Sequence, residues 1–368
     1  MVIRGVTLTH VRVPLVEPFR ISSGAVAEKD GIVVRVDTDE GTGFGESSPM
    51  SGSFYSSDTP ESCWKELRET LVPRMVGRAW DSPLDAAAEI ATLPGSNFAR
   101  VGIESALWDV EARRQGKPLF EVLGGSERPV PSGLAVGLYD DVADLLRTIE
   151  RYLADGYKRV KIKIERGRDV ELVQAVRDHF GEIPLFVDAN GAYDMSDLDT
   201  FRALDDFGLM MFEQPFPGPM LRELGALQRE VRTPVCLDES LESEQDLKRA
   251  IDLGSLKIAN IKIQRVGGFG NALRIYEICR QNMIPVWVGT MPELGIGQVQ
   301  GMALATLRDC TYPTDVEAST RWFQDDIITP FLEVKDGFMQ PPRSPGLGFE
   351  INEAALRKYE KASERFGS

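Results

Sequence analysis

From about residue 130 the chain alternates short apolar strands with amphipathic helices, and three successive strands end in an acid. The strands read SGLAVG, RVKIKI, IPLFVDAN, LMMFEQP, TPVCLDES, KIANIKI and IPVWVG, with a weaker eighth near TYPTDVEAS. Helices such as DVELVQAVRDHF, LRELGALQREV and GNALRIYEICRQN fall between them. Repeated βα units imply parallel strands joined by right-handed crossovers. Seven strands and a weak eighth fit an α/β fold, a (β/α)8 or slightly irregular, (β/α)7β-type TIM barrel, better than an open doubly wound sheet. No GxGxxG follows a first strand, which also speaks against the open sheet.

The N-terminal third has another rhythm. VTLTHVRV and GIVVRVDTDEGTGFGES alternate apolar and polar residues as strands do, and FARVGIESALWDVEARRQ carries helical spacing. The expected division is an α+β capping domain over residues 1–125 and a modified TIM barrel over 126–320. The Pro/Gly-rich segment 321–368, ending in PPRSPGLGFEIN, is expected to return to the cap.

The chain has 368 residues, with 57 acids against 42 bases and a net charge of −15. Nucleic acid or an anionic membrane would favour a basic face, so neither is expected as a partner. No run approaches the length of a membrane span, and the N-terminus lacks the apolar core of a signal peptide. The four cysteines are far apart and form no CxxC pair, as expected of reduced thiols in a cytoplasmic protein. There are only two histidines, His10 and His179, and neither neighbours an acid–nucleophile arrangement in the sequence. Chemistry that needs a histidine base or a His-rich metal site is not expected.

The three strand-end acids are Asp188, Glu213 and Asp238, an equal step of 25 residues. One βα unit separates each from the next, so in a barrel they share one rim. A single acid there could simply cap the following helix. Three packed together would repel unless a cation held them. Three hard oxygen donors without His or Cys suit Mg²⁺, with Mn²⁺ an alternative.

Lys262 in NIKIQRVGG continues the register on the next strand, and the second strand carries Lys161 and Lys163 in VKIKI. Residues i and i+2 of a strand face the same way, so both can point into the barrel mouth, with Val160, Ile162 and Ile164 on the other face. KIK on an exposed edge strand would mean nothing, but flanking βα units predict a covered strand, where buried lysines need a reason. A nearby cation disfavours a charged lysine and moves it toward the range of a useful base. The same cation would stabilise the enediolate left when a carboxylate substrate loses its α-proton.

GFGESSP, ESALWDVEARRQGKPLFEVLGG, KIK, DAN, EQP, LDES and NIK together resemble the muconate lactonizing enzyme subgroup of the enolase superfamily. Within it, GYKRVKIKI, TPVCLDES, NIKIQRVGG and the tail DDIITPF…PGLGFEIN look most like the o-succinylbenzoate synthase/N-acylamino acid racemase family. The resemblance makes Asp188, Glu213 and Asp238 metal ligands, Lys163 and Lys262 the acid/base pair, and Lys161 a partner of the substrate carboxylate. Arg265 matches an arginine typical of that family. GTMPELGIG departs from the usual GGMxETGIG at Thr290, Pro292 and Leu294, and Ala135 stands where serine is common.

Further candidate substrate contacts are Asn190, Met291, Glu293, Phe19 and Tyr55, the last two from the cap. The implied reaction is syn dehydration of a cyclohexadiene carboxylate to o-succinylbenzoate, a menaquinone precursor. The alternative is 1,1-proton transfer on an N-acylamino acid. A dipeptide epimerase ranks lower, because no DxD-type motif stands at the eighth strand, and a muconate-type cycloisomerase lower still. A barrel that kept its fold as an inactive binding protein is the non-enzyme alternative. A small carboxylate substrate and a homo-oligomer are the expected partners.

Overall fold

The computed structural model describes residues 1–21, 24–52 and 56–368, so Tyr55 lies outside the described residues. The N-terminal strands β1 (Ile3–Ile21), β2 (Gly24–Thr38) and β3 (Gly41–Ser47) form an antiparallel sheet. The chain's last strand, Glu360–Gly367, adds to its edge beside β1, with Val6 opposite Phe366. Helix α1 (Asn97–Arg114) lies against β3. The glycines of GFGES permit this contact. A Cβ at Gly43 would sit 2.3 Å from Ala106 O, and one at Gly45 would sit 2.1 Å from Gly102 O.

Among the described residues, seven parallel strands follow in chain order around a second sheet. They are β4 (Leu134–Val136), β5 (Val160–Lys163), β6 (Leu185–Asp188), β7 (Phe212–Glu213), β8 (Val235–Leu237), β9 (Ile258–Ile261) and β10 (Val286–Val288). Segment 310–315 closes the ring without forming a regular strand. On one side Thr314 N donates to Pro131 O, and on the other Asp315 N donates to Val288 O. The barrel therefore closes through backbone hydrogen bonds on both flanks, as an eighth strand would.

Side-chain alternation then divides the barrel. Val160, Ile162 and Ile164 join the apolar layer beneath the helices, whereas Phe186, Met211, Cys236, Ile258 and Trp287 form a separate inner cluster. One step further along the same inward-facing rows come Asp188, Glu213 and Asp238, with Lys163 beside Asp188 and Lys262 two steps beyond Ile258. A period of two fixes this result: residues i and i+2 share a face, so the strand-end positions sit above the inner plug.

The cap and barrel are joined by buried acids. Helices α2 (Phe269–Gln281) and α3 (Gly295–Ala305) have no side-chain N-cap of their own. Glu104, from α1, accepts the backbone N–H groups of Phe269 and Gly270, each at 2.8 Å. Glu46, from β3, accepts those of Leu294 and Gly297, each at 2.8 Å. Carboxylates at helix N-termini satisfy orphan donors and oppose the positive end of the dipole. Among the described residues, no helix is long and apolar enough to cross a membrane.

Candidate active site

The carboxylates of Asp188, Glu213 and Asp238 are buried on three adjacent strand ends, β6, β7 and the residue after β8. The backbone just beyond them is unusual. Asn190 and Gln214 have φ of 45° and 38°, the left-handed region that costs a non-glycine residue about 1 kcal/mol or more. Each conformation is held by its own bonds. Asn190 N donates to Asp188 Oδ1 at 2.9 Å, and Gln214 Oε1 accepts from Asp238 N and Ser240 N at 2.9 and 3.0 Å.

Each acid faces bases across the mouth. Lys163 Nζ lies 2.5 Å from Asp188 Oδ2, and Lys262 Nζ lies 2.7 Å from Asp238 Oδ2. Arg265 Nε is 3.3 Å from Asp238 Oδ1. Lys161 Nζ is 2.5 Å from Asp315, 3.2 Å from Glu213 and 3.6 Å from Asp188. Burial pushes Asp188 and Asp238 up, but the neighbouring bases win in both. Lys163 and Lys161 hold Asp188 below its ordinary value, while Arg265 and Lys262 bring Asp238 down to about 2. Glu213 goes the other way, to about 8, because burial and the charge of Asp188 outweigh Lys161.

Among the described residues, no three Asp, Glu, His or Cys side chains form a ready-made coordination group. The donor chemistry nevertheless fits a divalent cation. Three buried carboxylates share a rim, none of them a soft ligand, and Glu213 Oε2 takes no hydrogen bond among the described residues and meets the Lys161 ammonium at 3.2 Å. A carboxylate pushed up by burial and a like charge is one that a cation would stabilise.

Above these groups lies a small cavity. Lys161, Lys163, Lys262, Asn190 and Asp315 supply its polar lining. Phe19, Ile21, Met50, Met291, Pro292 and Trp322 supply apolar walls, with Ala135 and Thr290 also at its surface. The cap contributes through β1. Phe19 meets Trp322 edge to face at 5.2 Å, and Arg20 O accepts from Leu138 N at 3.0 Å.

Sequence candidates thus separate into groups. The three lysines, Asn190, Phe19 and Met291 line the cavity; Tyr55 is outside the described residues. Arg265 does not line this cavity and instead acts on it through Asp238. Glu293, a candidate substrate contact, does not line this cavity. Its Oε1 accepts Met291 N at 3.0 Å, so its side chain shapes the loop from behind. His10 is 2.7 Å from Asp30 in the cap, a pair shared with Arg12 and distant from the barrel chemistry.

Sequence reasoning missed Asp315, Arg159, Asn260 and Met50. Arg159 lies between the rings of Phe186 and Trp287, at 4.8 and 5.3 Å, and pairs with Asp315. Asn260 Nδ2 donates to Glu213 Oε1 at 2.8 Å. The signal for Arg159 and Asn260 was available. Each stands two residues before a site lysine, or two before Lys161 in the case of Arg159, and so on the same strand face.

Fold and site together define a capped α/β-barrel enzyme with buried carboxylates and lysines at the strand ends. Residues 144–355 match the enolase C-terminal domain-like family, and residues 3–124 match the mandelate racemase/muconate lactonizing enzyme N-terminal domain. The chain belongs to this family within the enolase superfamily. It is similar to the o-succinylbenzoate synthase of Bacillus subtilis (strain 168), 41% identical over 97% of this chain and 96% of that one. It is also similar to the N-succinylamino acid racemase of an Amycolatopsis species, 39% identical over 95% of each chain. A solved enolase-superfamily member from Listeria innocua superposes with a TM-score of 0.95 at 34% identity, covering 100% of this chain and 99% of that one.

Proposed function

We propose that the chain removes the α-proton of a carboxylate substrate and that its principal reaction is syn dehydration to o-succinylbenzoate. The observation that carries α-proton abstraction is the placement of Lys163 and Lys262 on β5 and just after β9, lining one cavity from different sides of the barrel. Relatives named o-succinylbenzoate synthase, 40–41% identical over nearly the whole chain, support the choice of reaction.

Asp188, Glu213 and Asp238 would hold a divalent cation, Mg²⁺ or Mn²⁺. Such a cation supplies positive charge that stabilises the enediolate oxygens as the α-proton leaves. Lys161, held by Asp315, presents an ammonium to the substrate carboxylate. Lys163 takes the α-proton and returns a proton to the hydroxyl leaving from the same face, which departs as water, while Lys262 faces the developing negative charge as a cation. The apolar walls exclude water and seat the ring of the substrate.

Racemisation of an N-succinylamino acid is the second reading. Two lysines on different strands favour it, because each can reach one face of the same α-carbon. Purified protein should be assayed against the cyclohexadiene precursor and N-succinylamino acids. Dehydration faster in kcat/KM than racemisation supports the first reading; the reverse order replaces it with the second.

A further inference from the structure

We propose that Lys29 and Glu293 are positioning residues that set the two methionine walls of the cavity, one from each domain, and thereby set its substrate preference. Lys29 lies on β2 and is 2% exposed. Its Nζ donates to Ser48 O at 3.0 Å and Pro49 O at 2.8 Å, the two carbonyls immediately before Met50. Glu293 is 4% exposed and holds the backbone N–H of Met291. Met50 and Met291 both line the cavity, whereas neither Lys29 nor Glu293 reaches it.

Glu46 ties the two together. Its carboxylate caps α3 immediately after Glu293, and its backbone leads directly into Ser48 and Pro49. The seam leaves little slack. A Cβ on Gly297 would lie 2.5 Å from Glu293 Cβ and 3.4 Å from Glu46 Cδ. One on Gly31 would lie 2.6 Å from Leu294 Cδ1. Lys29 attracts both glutamates, while burial pushes Lys29 down to about 8 and Glu293 up to about 7. A buried ammonium held by two backbone carbonyls specifies geometry more than it adds stability. Met is a pliable wall material, so its position depends on the backbone behind it.

The kinetic part of this inference rests on the reaction proposed above; the spectroscopic part does not. Lys29→Met and Glu293→Leu should be compared with the unaltered chain on N-succinylalanine and N-succinylphenylalanine. The ratio of kcat/KM between these probes is expected to change about tenfold, through KM, with saturating α-deuterium exchange kept within about threefold. With ¹³C-methyl methionine, the signals of Met50 and Met291 should move in both variants and that of exposed Met283 should not. An unchanged ratio, or unmoved Met50 and Met291 signals in a folded variant, overturns the proposal. Glu293→Leu removes the acceptor for Met291 N and decides alone if Lys29→Met does not fold. If the unaltered chain exchanges neither probe, the racemase reading fails, and the methyl spectra still decide this proposal.

Discussion

Lys262 Nζ stands 2.7 Å from Asp238 Oδ2, although the two residues are 24 positions apart and belong to successive strands. Asp188 and Lys163 repeat the relationship at 2.5 Å, 25 positions apart. Each proposed acid/base lysine therefore shares its surroundings with a proposed metal ligand. Lys163→Ala and Lys262→Ala are each expected to lower turnover by about 10³-fold or more. Their isotope behaviour should differ. Lys163→Ala should lose α-deuterium exchange in the dehydration substrate, and retention of full exchange would remove Lys163 as the base.

Metal removal should abolish turnover, and Mg²⁺ or Mn²⁺ should restore it. Glu213 gives a sharper form of this expectation. Glu213→Gln is expected to weaken metal affinity by about tenfold or more, since a carboxylate donor becomes a neutral amide. Calorimetric titration with Mn²⁺ measures this directly. Equal Mn²⁺ affinity in the two proteins would take Glu213 out of the ligand set.

Asp315 is paired with Arg159 and Lys161, all three deeply buried. Removing one partner of a buried ion pair leaves an uncompensated charge and costs about 3–5 kcal/mol. Asp315→Ala should therefore lower stability by that order in denaturant unfolding. It should also raise KM, because Lys161 loses its nearest anchor. A variant with native stability and native KM would contradict the role given to Asp315.

Glu104 supplies a pH dependence away from the active site. Burial pushes its carboxyl from 4.5 up to about 7, against the donors Gly270 N, Phe269 N and Trp108 Nε1. Between these values the folded chain holds a proton that the unfolded chain has lost, so this group's contribution to stability falls as pH rises through the window. Glu317, also raised to about 7 by burial, acts in the same direction. Glu104→Gln should lower Tm at every pH, because its amide N–H₂ meets backbone donors. It should also flatten the fall in Tm between about pH 4.5 and 7. An unaltered slope in that variant would show that Glu104 is not the titrating group.

Much of the barrel was readable because its information is local and periodic. Alternation by two placed Lys161 with Lys163, and the βα repeat brought three acids spaced by 25 residues to one rim. The eighth segment was weak in sequence for a physical reason: it closes the ring by isolated bridges at Thr314 and Cys310 and forms no regular strand. Pairings between distant segments could not be read in this way. Lys161 meets Asp315 across 154 positions, and Glu46 caps Leu294 across 248. No periodic pattern connects such pairs.

Sequence alone determined the barrel rhythm, the strand-end acids and the lysines beside them, because hydrophobic period and repeat length fix which face and which rim each residue occupies. Tertiary structure decided which ammonium lies against which carboxylate, and that Glu293 supports the cavity wall from behind. It also decided that two acids of the cap close two barrel helices. Those outcomes depend on how the cap docks. Docking is set by close contacts such as Gly31 against Leu294, which neighbouring residues in the chain do not specify.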